Sequence, residues 1–514
     1  MVITRQIRYR LSGGDASVNL REHAVVVASG SKPRISHEEA TYFDTPDLQL
    51  YKKGMALTLH KEGKGWLQRL GKAPVLFTAS DAKGGKAFQT KLAENILNVK
   101  KLNASGVGRR VLGKIKPESL VRHFSLELDR TLWRLDFPDG CRMLLKEEKG
   151  FLVTEKDRIP FHELCMELEH GDESRLFQIA LALLYQLSPR LETSSPEQRG
   201  FLQVDPSMAT AYSRSIPQLN PSMDAEQGFA RLAAHLTNVM EGNVASLFYG
   251  RDTFRYDALW EVAVAVDQFR ALLAFNDFLL PGIMRSELDE ELAWLQSELA
   301  DAKKWEEFIN GMLEPCIDQF PTYPELQDLT DKAKVHLREG YVRLEHAMAS
   351  FRFTRLICGL RYWVGGQAWR ELTDLPQKRQ AARSITLLAK SAVDRHHSQV
   401  LKLGEPALAA AEGDSLTKLD HEGAVALYAM DFYISLFQDR KAKAYHNSLD
   451  WVMTGVRGLQ RVQLGRGYFD RIIPADNAAL RHLVNGWLGG RREVFMLDGR
   501  EAWNVFSTQP QFWQ

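Results

Sequence analysis

The sequence is poor in the residues and segments that mark secreted, membrane-spanning and metal-bound proteins. Its 514 residues include only four cysteines, Cys141, Cys165, Cys316 and Cys358, which are too far apart to suggest a disulfide framework or a zinc site. No stretch approaches the roughly 18 consecutive apolar residues that a transmembrane helix needs. The first residues lack the apolar core of a signal peptide. We therefore expect a cytoplasmic protein with no membrane partner.

An excess of either charge is also absent. Lysine and arginine number 66 and aspartate and glutamate 65, which leaves a net charge of +1. Proteins that bind nucleic acid usually carry a basic surface that neutralises phosphates, so no specific nucleic-acid partner is predicted. With 45% hydrophobic residues, the chain has an ordinary globular composition and is long enough for roughly two to four domains.

The pattern that the sequence does contain changes in character once. Up to about residue 204, short segments of alternating apolar and polar residues are separated by glycines, which indicates an antiparallel sheet or barrel. Residues 205–223 are rich in proline and serine, a composition typical of a linker. From residue 224 onwards, apolar residues recur every three or four positions, which predicts helices.

These patterns predict an α+β protein with three parts. Residues 1–204 form an antiparallel β-barrel domain, residues 205–223 form a linker, and residues 224–514 form an all-α domain. Two runs of candidate helices, interrupted by prolines, favour two four-helix bundles at about residues 224–365 and 375–514.

Residues 40–72 have the most distinctive order in the chain. A short apolar segment ends at Asp44-Thr45-Pro46-Asp47, a strong turn signal. A brief helical segment then leads to Gly54. Alternating residues at 55–60 and 66–70 predict the two strands of a hairpin.

The same stretch resembles the CYTH family of triphosphate-processing enzymes. The similarity is carried by Tyr42-Phe43-Asp44-Thr45-Pro46-Asp47-Leu48, Gly54, Ala56-Leu57, Glu62-Gly63 and Trp66-Leu67-Gln68, and by residues 130–131, 148–150, 166–171 and 195–201. The helical half resembles a CHAD domain, which often follows CYTH in bacterial proteins, at residues 269–281, 459–470 and 502–513. The resemblance implies a tunnel-forming barrel in which acidic side chains hold Mg²⁺ or Mn²⁺ and basic ones hold a triphosphate.

Several tunnel positions of the resembled family are changed here. Gln6, Arg8 and Arg10 stand where the family places Glu, Glu and Lys on its first strand, and Thr58 and His60 stand where it has phosphate-binding arginines. The basic residues left as phosphate-binding candidates are Arg8, Arg10, Lys72, Arg130 and Arg199. The acidic residues left as metal-binding candidates are Glu148, Glu167 and Glu169. Glu167 and Glu169 also fit an acidic strand that Arg8 and Arg10 balance.

The helical half shows a similar loss. The CHAD resemblance implies a polyphosphate-binding bundle with histidine and basic residues on one helix of each half. In the first half these positions hold Trp260, Ala263, Asp267 and Gln268, followed by Arg270. In the second half, aligned on Tyr428, they hold Thr417, Asp420, Ala424, Val425 and Leu427. The basic residues left as candidates for a polyanion-binding surface are Arg270, Lys303, Lys304, Arg457 and Arg461.

Three functions are alternatives at this point. The leading hypothesis is a CYTH–CHAD relative without a catalytic metal set and without a cofactor, which acts as a binding or scaffold protein for polyphosphate or its granules. The second is an inorganic triphosphatase in which Glu148, Glu167 and Glu169 hold Mg²⁺ or Mn²⁺. It is favoured if the candidate side chains converge on an open tunnel and disfavoured if apolar residues fill that tunnel. The third is a structural module that binds another protein through Trp260, Trp305 or Trp363.

Overall fold

The computed structural model describes residues 6–11, 20–73, 87–113, 115–213, 215–437 and 440–513. The chain divides into two compact units. Unit 1 comprises Met1–Tyr212, Glu241–Ala258 and Met348–Gln367, and unit 2 comprises Ser213–Met240, Leu259–Ala347 and Ala368–Gln514. The three-part division drawn from composition stays a prediction.

Unit 1 is built on one antiparallel sheet. Its strands are β1 (Gln6–Arg10), β2 (Arg34–Asp44), β3 (Met55–Glu62), β4 (Gly65–Lys72), β5 (Phe88–Leu92), β6 (Val121–Asp136), β7 (Arg142–Val153), β8 (Arg158–His170) and β9 (Arg190–Glu192). They pair in the order β5-β4-β3-β2-β6-β7-β8-β1-β9. Among the described residues β5 and β9 do not pair with each other, so the sheet is open and the predicted barrel is not closed. The prediction of an antiparallel sheet is confirmed.

The helices up to residue 204 lie between the strands of this sheet or directly after its last strand. They are α1 (Ala24–Ser29), α2 (Gln49–Lys52), α3 (Val99–Ala104), α4 (Gly106–Leu112), α5 (Glu173–Leu187) and α6 (Pro196–Val204). Helix α6 begins with a capping box, in which Ser195 and Gln198 satisfy each other's backbone N–H groups, and with a proline in its first turn. Its Phe201 packs edge-on against the rings of Tyr42 and Phe124, which fixes α6 against one face of the sheet.

The turn after β2 is stabilised by one buried carboxylate. Asp44 accepts hydrogen bonds from the backbone N–H groups of Thr45, Leu50 and Tyr51 at 2.7, 2.8 and 2.8 Å. These bonds cap α2 and position the start of the next strand. Strands β3 and β4 then form the predicted hairpin, paired from Met55 opposite Lys72 to Glu62 opposite Gly65.

The described chain after residue 224 is almost entirely helical. Its helices are α7 (Ala225–Gly242), α8 (Val244–Tyr249), α9 (Asp252–Phe275), α10 (Gly282–Phe308), α11 (Glu314–Gln319), α12 (Pro324–Met348), α13 (Phe351–Gly366), α14 (Leu375–Ala381), α15 (Ile385–Ala410), α16 (Gly413–Tyr433), α17 (Arg440–Ile472) and α18 (Ala478–Phe506). A π-helical segment, Ile309–Leu313, joins α10 to α11. The predicted succession of sheet and helical region is confirmed, whereas the two four-helix bundles stay a prediction. None of the described helices is apolar over a stretch long enough to cross a membrane.

Two of the three tryptophans considered as protein-binding anchors belong to the core. Trp305 is 5% exposed, and its ring stacks on His336 and meets Phe308 edge-on. Trp363 is 7% exposed. Only Trp260 of the three keeps a solvent-facing ring, at 38% exposure, so the first two are unsuitable as anchors for a partner.

Candidate functional site

The strand register of unit 1 brings most of the predicted site residues onto one face of the sheet. Arg10 lies opposite Glu163, Glu163 opposite Glu148, and Glu148 opposite Arg130. Residues directly paired across antiparallel strands point to the same face. Arg8 is two positions from Arg10 on β1 and therefore shares this face.

On this face the charged side chains are bound to one another. Arg8 donates hydrogen bonds to Glu148 at 2.6 Å and to Glu163 at 3.0 Å. Glu148 also accepts a hydrogen bond from the Nε of Arg130 at 2.8 Å, and Arg130 donates to Glu38 at 2.5 Å. Each of the two carboxylates that contact Arg8 therefore neutralises more than one positive charge.

The same pattern continues onto α6. Arg199 forms an ion pair with Glu163 and lies 3.3 Å from a carboxylate oxygen of Glu192. Glu192 also accepts hydrogen bonds from the hydroxyls of Ser194 and Tyr249 at 2.6 and 2.7 Å. We call the resulting chain of Glu38, Arg130, Glu148, Arg8, Glu163, Arg199 and Glu192 the ion-pair network.

Burial and charge act in opposite directions on the carboxyl groups of the network. Burial acts to raise the pKa of Glu148, but the positive charges of Arg8 and Arg130 outweigh it, so the pKa lies below its ordinary value. For Glu163 burial prevails over the attraction of Arg199 and Arg8, and the pKa is raised. At neutral pH the ionised form of Glu148 is therefore strongly favoured.

The three predicted metal ligands do not meet at one point. Glu167 pairs with Lys146 at 2.6 Å and Glu169 with Arg134 at 3.4 Å. Glu148 lies opposite Glu163, four residues from Glu167 along β8, which corresponds to about 13 Å at the usual rise per residue. The described residues contain no group of three His, Cys, Asp or Glu side chains that could hold a metal ion. The residues present do not fit the metal set that the CYTH resemblance implies.

Two further phosphate-binding candidates lie apart from the network. Arg10 donates to the carbonyl oxygen of Pro160 at 3.2 Å. Lys72 is the last residue of β4 and alternates with Gly71, so it lies at the edge of the charged face rather than on it.

A cavity of about 470 Å³ adjoins the network at Arg130 and Glu38, and we call it the unit 1 cavity. Among the residues that line it are Tyr42, Thr58, His60, Arg69, Lys72, Arg130 and Glu197. It contains two of the positions, Thr58 and His60, at which the sequence departs from the resembled family. Arg69 and Glu197 were not predicted from the sequence, because only the register of β4 and the placement of α6 bring them here.

The helices of unit 2 enclose a second site. Cavities of about 840 and 780 Å³ share the lining residues Asp267, Gln296, Asp420, Ala424 and Tyr428, and we call them together the helical cleft. Helices α9, α10, α16 and α17 supply most of its lining. The cleft is lined by all the positions at which the CHAD resemblance indicated a changed residue and by all five basic candidates, Arg270, Lys303, Lys304, Arg457 and Arg461.

Most cations of the helical cleft are matched by carboxylates. Arg270 donates to both oxygens of Asp289, at 2.7 and 3.0 Å. Lys303 lies 4.0 Å from Asp267 and 4.8 Å from the centre of the Trp260 ring. Eight carboxylates and six lysines or arginines are found in the described lining. The cleft is therefore not the basic channel that a long polyanion needs for tight binding.

Comparison with known proteins assigns the helical region. Residues 230–465 match the family model of the CHAD domain. The chain is similar to the CHAD domain from the plant Ricinus communis, at 18% identity and a TM-score of 0.48 over 59% of this chain and 98% of that one. It is also similar to PptA from Streptomyces chartreusis, at 13% identity and a TM-score of 0.40 over 56% and 99%.

A third similar structure is that of HpAC1 from Hippeastrum, an adenylyl cyclase candidate reported with a dominant triphosphatase activity. It is 14% identical, with a TM-score of 0.24 over 37% of this chain and 90% of that one. No curated protein matches the chain at a significant level. All residues that line the helical cleft fall within the matched range 230–465. The helical part of the chain therefore carries a CHAD domain.

Proposed function

We propose that the chain is a CYTH–CHAD relative that acts as a binding or scaffold protein and does not hydrolyse triphosphates. The observation that carries this proposal is that the buried carboxylates Glu148 and Glu163 each bridge two arginines. A carboxylate that already neutralises two guanidinium groups is not free to bind a metal ion. Arginines held in this way are equally occupied and not free to bind phosphate.

Two energy terms oppose the separation of these ion pairs to admit a metal ion. Taking Glu148 away leaves Arg8 and Arg130, which are partly buried, with one counterion fewer each, and breaking a buried pair typically costs about 3–5 kcal/mol. A divalent cation about 4 Å from Arg8 is repelled by on the order of 8 kcal/mol at an effective dielectric constant of 20. One new metal–carboxylate contact does not offset both terms.

The alternative function is an inorganic triphosphatase with an altered Mg²⁺ or Mn²⁺ site. The unit 1 cavity supports it, because Arg69, Lys72 and Arg130 line a space next to Glu38 and Glu197. Ion pairs, rather than apolar residues, occupy the charged face. We favour the binding protein, since the alternative requires several of these pairs to open together.

Phosphate release from tripolyphosphate, with Mg²⁺ or Mn²⁺, distinguishes the two functions. We expect the rate with the protein to equal the rate without it. Glu148→Gln tests the network, and Glu127→Gln is the matched control, because Glu127 forms an exposed pair with Arg158. Metal-dependent turnover that is lost in Glu148→Gln, Glu167→Gln or Glu169→Gln and kept in the control would establish the triphosphatase instead.

For the helical cleft we propose weak binding of a phosphate-rich polymer such as polyphosphate. Lys304 and Arg461 support it, since neither forms an ion pair with another described residue. A protein partner at the exposed ring of Trp260 is the less favoured option. A cytoplasmic location also stays our proposal, and it is supported by the four cysteines, all of which are free thiols.

A further inference from the structure

A row of polar side chains crosses the unit 1 cavity. Tyr42 on β2 lies opposite Thr58 on β3, Thr58 opposite Arg69 on β4, and Arg69 opposite Gln89 on β5. All four residues line the cavity. The row therefore presents two hydroxyls, a guanidinium group and an amide side by side.

The two side chains that carry these hydroxyls are largely buried, and neither hydroxyl bonds to another described residue. Tyr42 is 6% exposed and Thr58 is 5% exposed. The Tyr42 ring is held in place by stacking on Phe124, with 4.5 Å between ring centres. Both residues line the cavity, so their hydroxyls are available to hydrogen-bond a polar ligand there.

Two opposite charges near these hydroxyls are also unpaired among the described residues. Arg69 extends over Gly71, where a Cβ atom would lie 3.1 Å from the arginine Nε, and it forms no ion pair. Glu197 on α6 forms none either. Both charges act on the Tyr42 hydroxyl: beyond the effect of burial, Glu197 raises its pKa and Arg69 lowers it.

Of the other charges that line the cavity, Lys72 forms no ion pair with a described residue, whereas the glutamates are matched. Glu39 pairs with Lys61 at 2.9 Å and Glu38 with Arg130 at 2.5 Å. Glu62 lies 3.9 Å from Lys91. A chain of phosphates entering this cavity would meet four glutamates, whereas a ligand with one charge of each sign would find a partner for both.

We infer that the unit 1 cavity binds a small zwitterion of the amino-acid type, with its carboxylate at Arg69 and its ammonium group at Glu197. Arginine binds carboxylates through paired N–H groups, and the hydroxyls of Tyr42 and Thr58 complete the polar contacts. A volume of about 470 Å³ lies within the range of small-molecule sites. This inference rests on the proposed function, because it requires a sheet face that no longer processes triphosphate.

The test is a binding screen of the full chain against the common amino acids, by thermal unfolding and then by calorimetry. Acetate and ethylamine, each of which carries only one of the two charged groups, are the control ligands. Orthophosphate and tripolyphosphate represent phosphate ligands, the rival class. We expect at least one amino acid to bind with one-to-one stoichiometry. Acetate and ethylamine should bind at least about tenfold more weakly, because each loses one charge-assisted contact.

Variants locate the binding. Arg69→Gln and Glu197→Gln should each weaken it by about 10- to 100-fold, the range for hydrogen bonds to charged groups. Tyr42→Phe keeps the ring stacked on Phe124 and should weaken binding by about five- to tenfold. The exposed pair Arg158 and Glu127 supplies matched controls, Arg158→Gln and Glu127→Gln, which should leave the affinity unchanged.

The inference is overturned if no amino acid binds, if Arg69→Gln and Glu197→Gln bind as tightly as the unaltered chain, or if a phosphate binds more tightly than every amino acid. These outcomes are separate from failure of the proposed function. Hydrolysis of tripolyphosphate would refute the proposed function whatever else binds. Absence of both hydrolysis and amino-acid binding would refute only the zwitterion site.

Discussion

Arg8 stands where the resembled family has a metal-binding carboxylate, and its guanidinium group lies between Glu148 and Glu163. The substitution reverses the charge at the centre of the face. The two glutamates then serve as counterions of arginine rather than as ligands of a cation. The residue at this one position thus alters the chemistry open to the carboxylates beside it.

Glu148→Gln should destabilise unit 1 by about 3–5 kcal/mol at neutral pH, because it leaves Arg8 and Arg130 with one counterion fewer in a buried setting. Urea unfolding of the variant and the unaltered chain measures this difference. Glu127→Gln, which breaks an exposed pair, should cost at most about 1 kcal/mol. Equal effects of the two substitutions would contradict the role given to Glu148.

The unfolding free energies of Glu148→Gln and of the unaltered chain should differ less at acidic pH. Since the pKa of Glu148 is lower in the folded state than its ordinary value of 4.5, its contribution is fully present above about that pH. It is lost as the pH falls through the folded-state pKa. The difference in unfolding free energy between Glu148→Gln and the unaltered chain should therefore narrow below pH 4.5. A difference that stays constant with pH would show that Glu148 is not the titrating group.

For single residues, the face of a strand on which a side chain lies is easier to predict from the sequence than the residues that it contacts. Alternation along β1 puts Arg8 and Arg10 on one face, and the resemblance pointed to Glu148. Glu163 and Arg69 were missed, because their importance depends on which residue lies opposite them, and register is fixed by the folded sheet. The separation of the three predicted metal ligands was missed for the same reason.

Among the elements, α17 and α18 pack closely through glycines. A Cβ atom at Gly455 would lie 2.7 Å from the Cα atom of Gly499, which is backbone and cannot move aside like a side chain. Gly467, on the same helix, has open space where a Cβ atom would stand. The two glycines therefore differ in what a side chain at their position would meet.

Gly455→Ala should destabilise unit 2 by about 1–3 kcal/mol, because the added methyl group separates the two helices. Gly467→Ala should instead be neutral or stabilising by up to about 1 kcal/mol, since alanine favours an exposed helix. Chemical unfolding followed by circular dichroism measures both. Comparable losses in the two variants would mean that the close contact does not determine the effect.

The elements were partly predictable. Period-two alternation and turn residues indicated the β3–β4 hairpin, and the 3.6-residue periodicity indicated the helices. Closure of the sheet into a barrel was not predictable, because it depends on how the first and last strands of the sheet meet. Residues 205–223 were predicted as a linker from their proline and serine content, yet Ala209 and Leu219 are 1% and 4% exposed, a burial that composition does not reveal.

For the whole molecule, the net charge of +1 and the mixed lining of the helical cleft limit what the CHAD domain can hold. Lys304 and Arg461 are the cleft cations that form no ion pair among the described residues. We therefore expect the cleft to make at most two strong electrostatic contacts with phosphate groups. Such a small number separates this chain from a protein with a continuous basic channel.

Binding of long-chain polyphosphate should be weak and should fall about sevenfold between roughly 50 and 200 mM salt, as expected for two contacts with a single-stranded polyanion. The variant carrying Lys304→Gln and Arg461→Gln should abolish this salt dependence. Lys402→Gln, an exposed residue on α15, is the matched control. Salt-independent binding, or binding that survives the double substitution, would contradict the assignment.

The central claim is that the charged groups of the ion-pair network satisfy one another and leave no place there for a catalytic cation. Titration with Mn²⁺, followed by the electron paramagnetic resonance signal of the free ion, tests it directly with and without tripolyphosphate. We predict that the free-ion signal is the same in the presence and absence of the protein, apart from what tripolyphosphate itself binds. Uptake of Mn²⁺ in proportion to the chain, lost in Glu148→Gln and retained in Glu127→Gln, would contradict the claim.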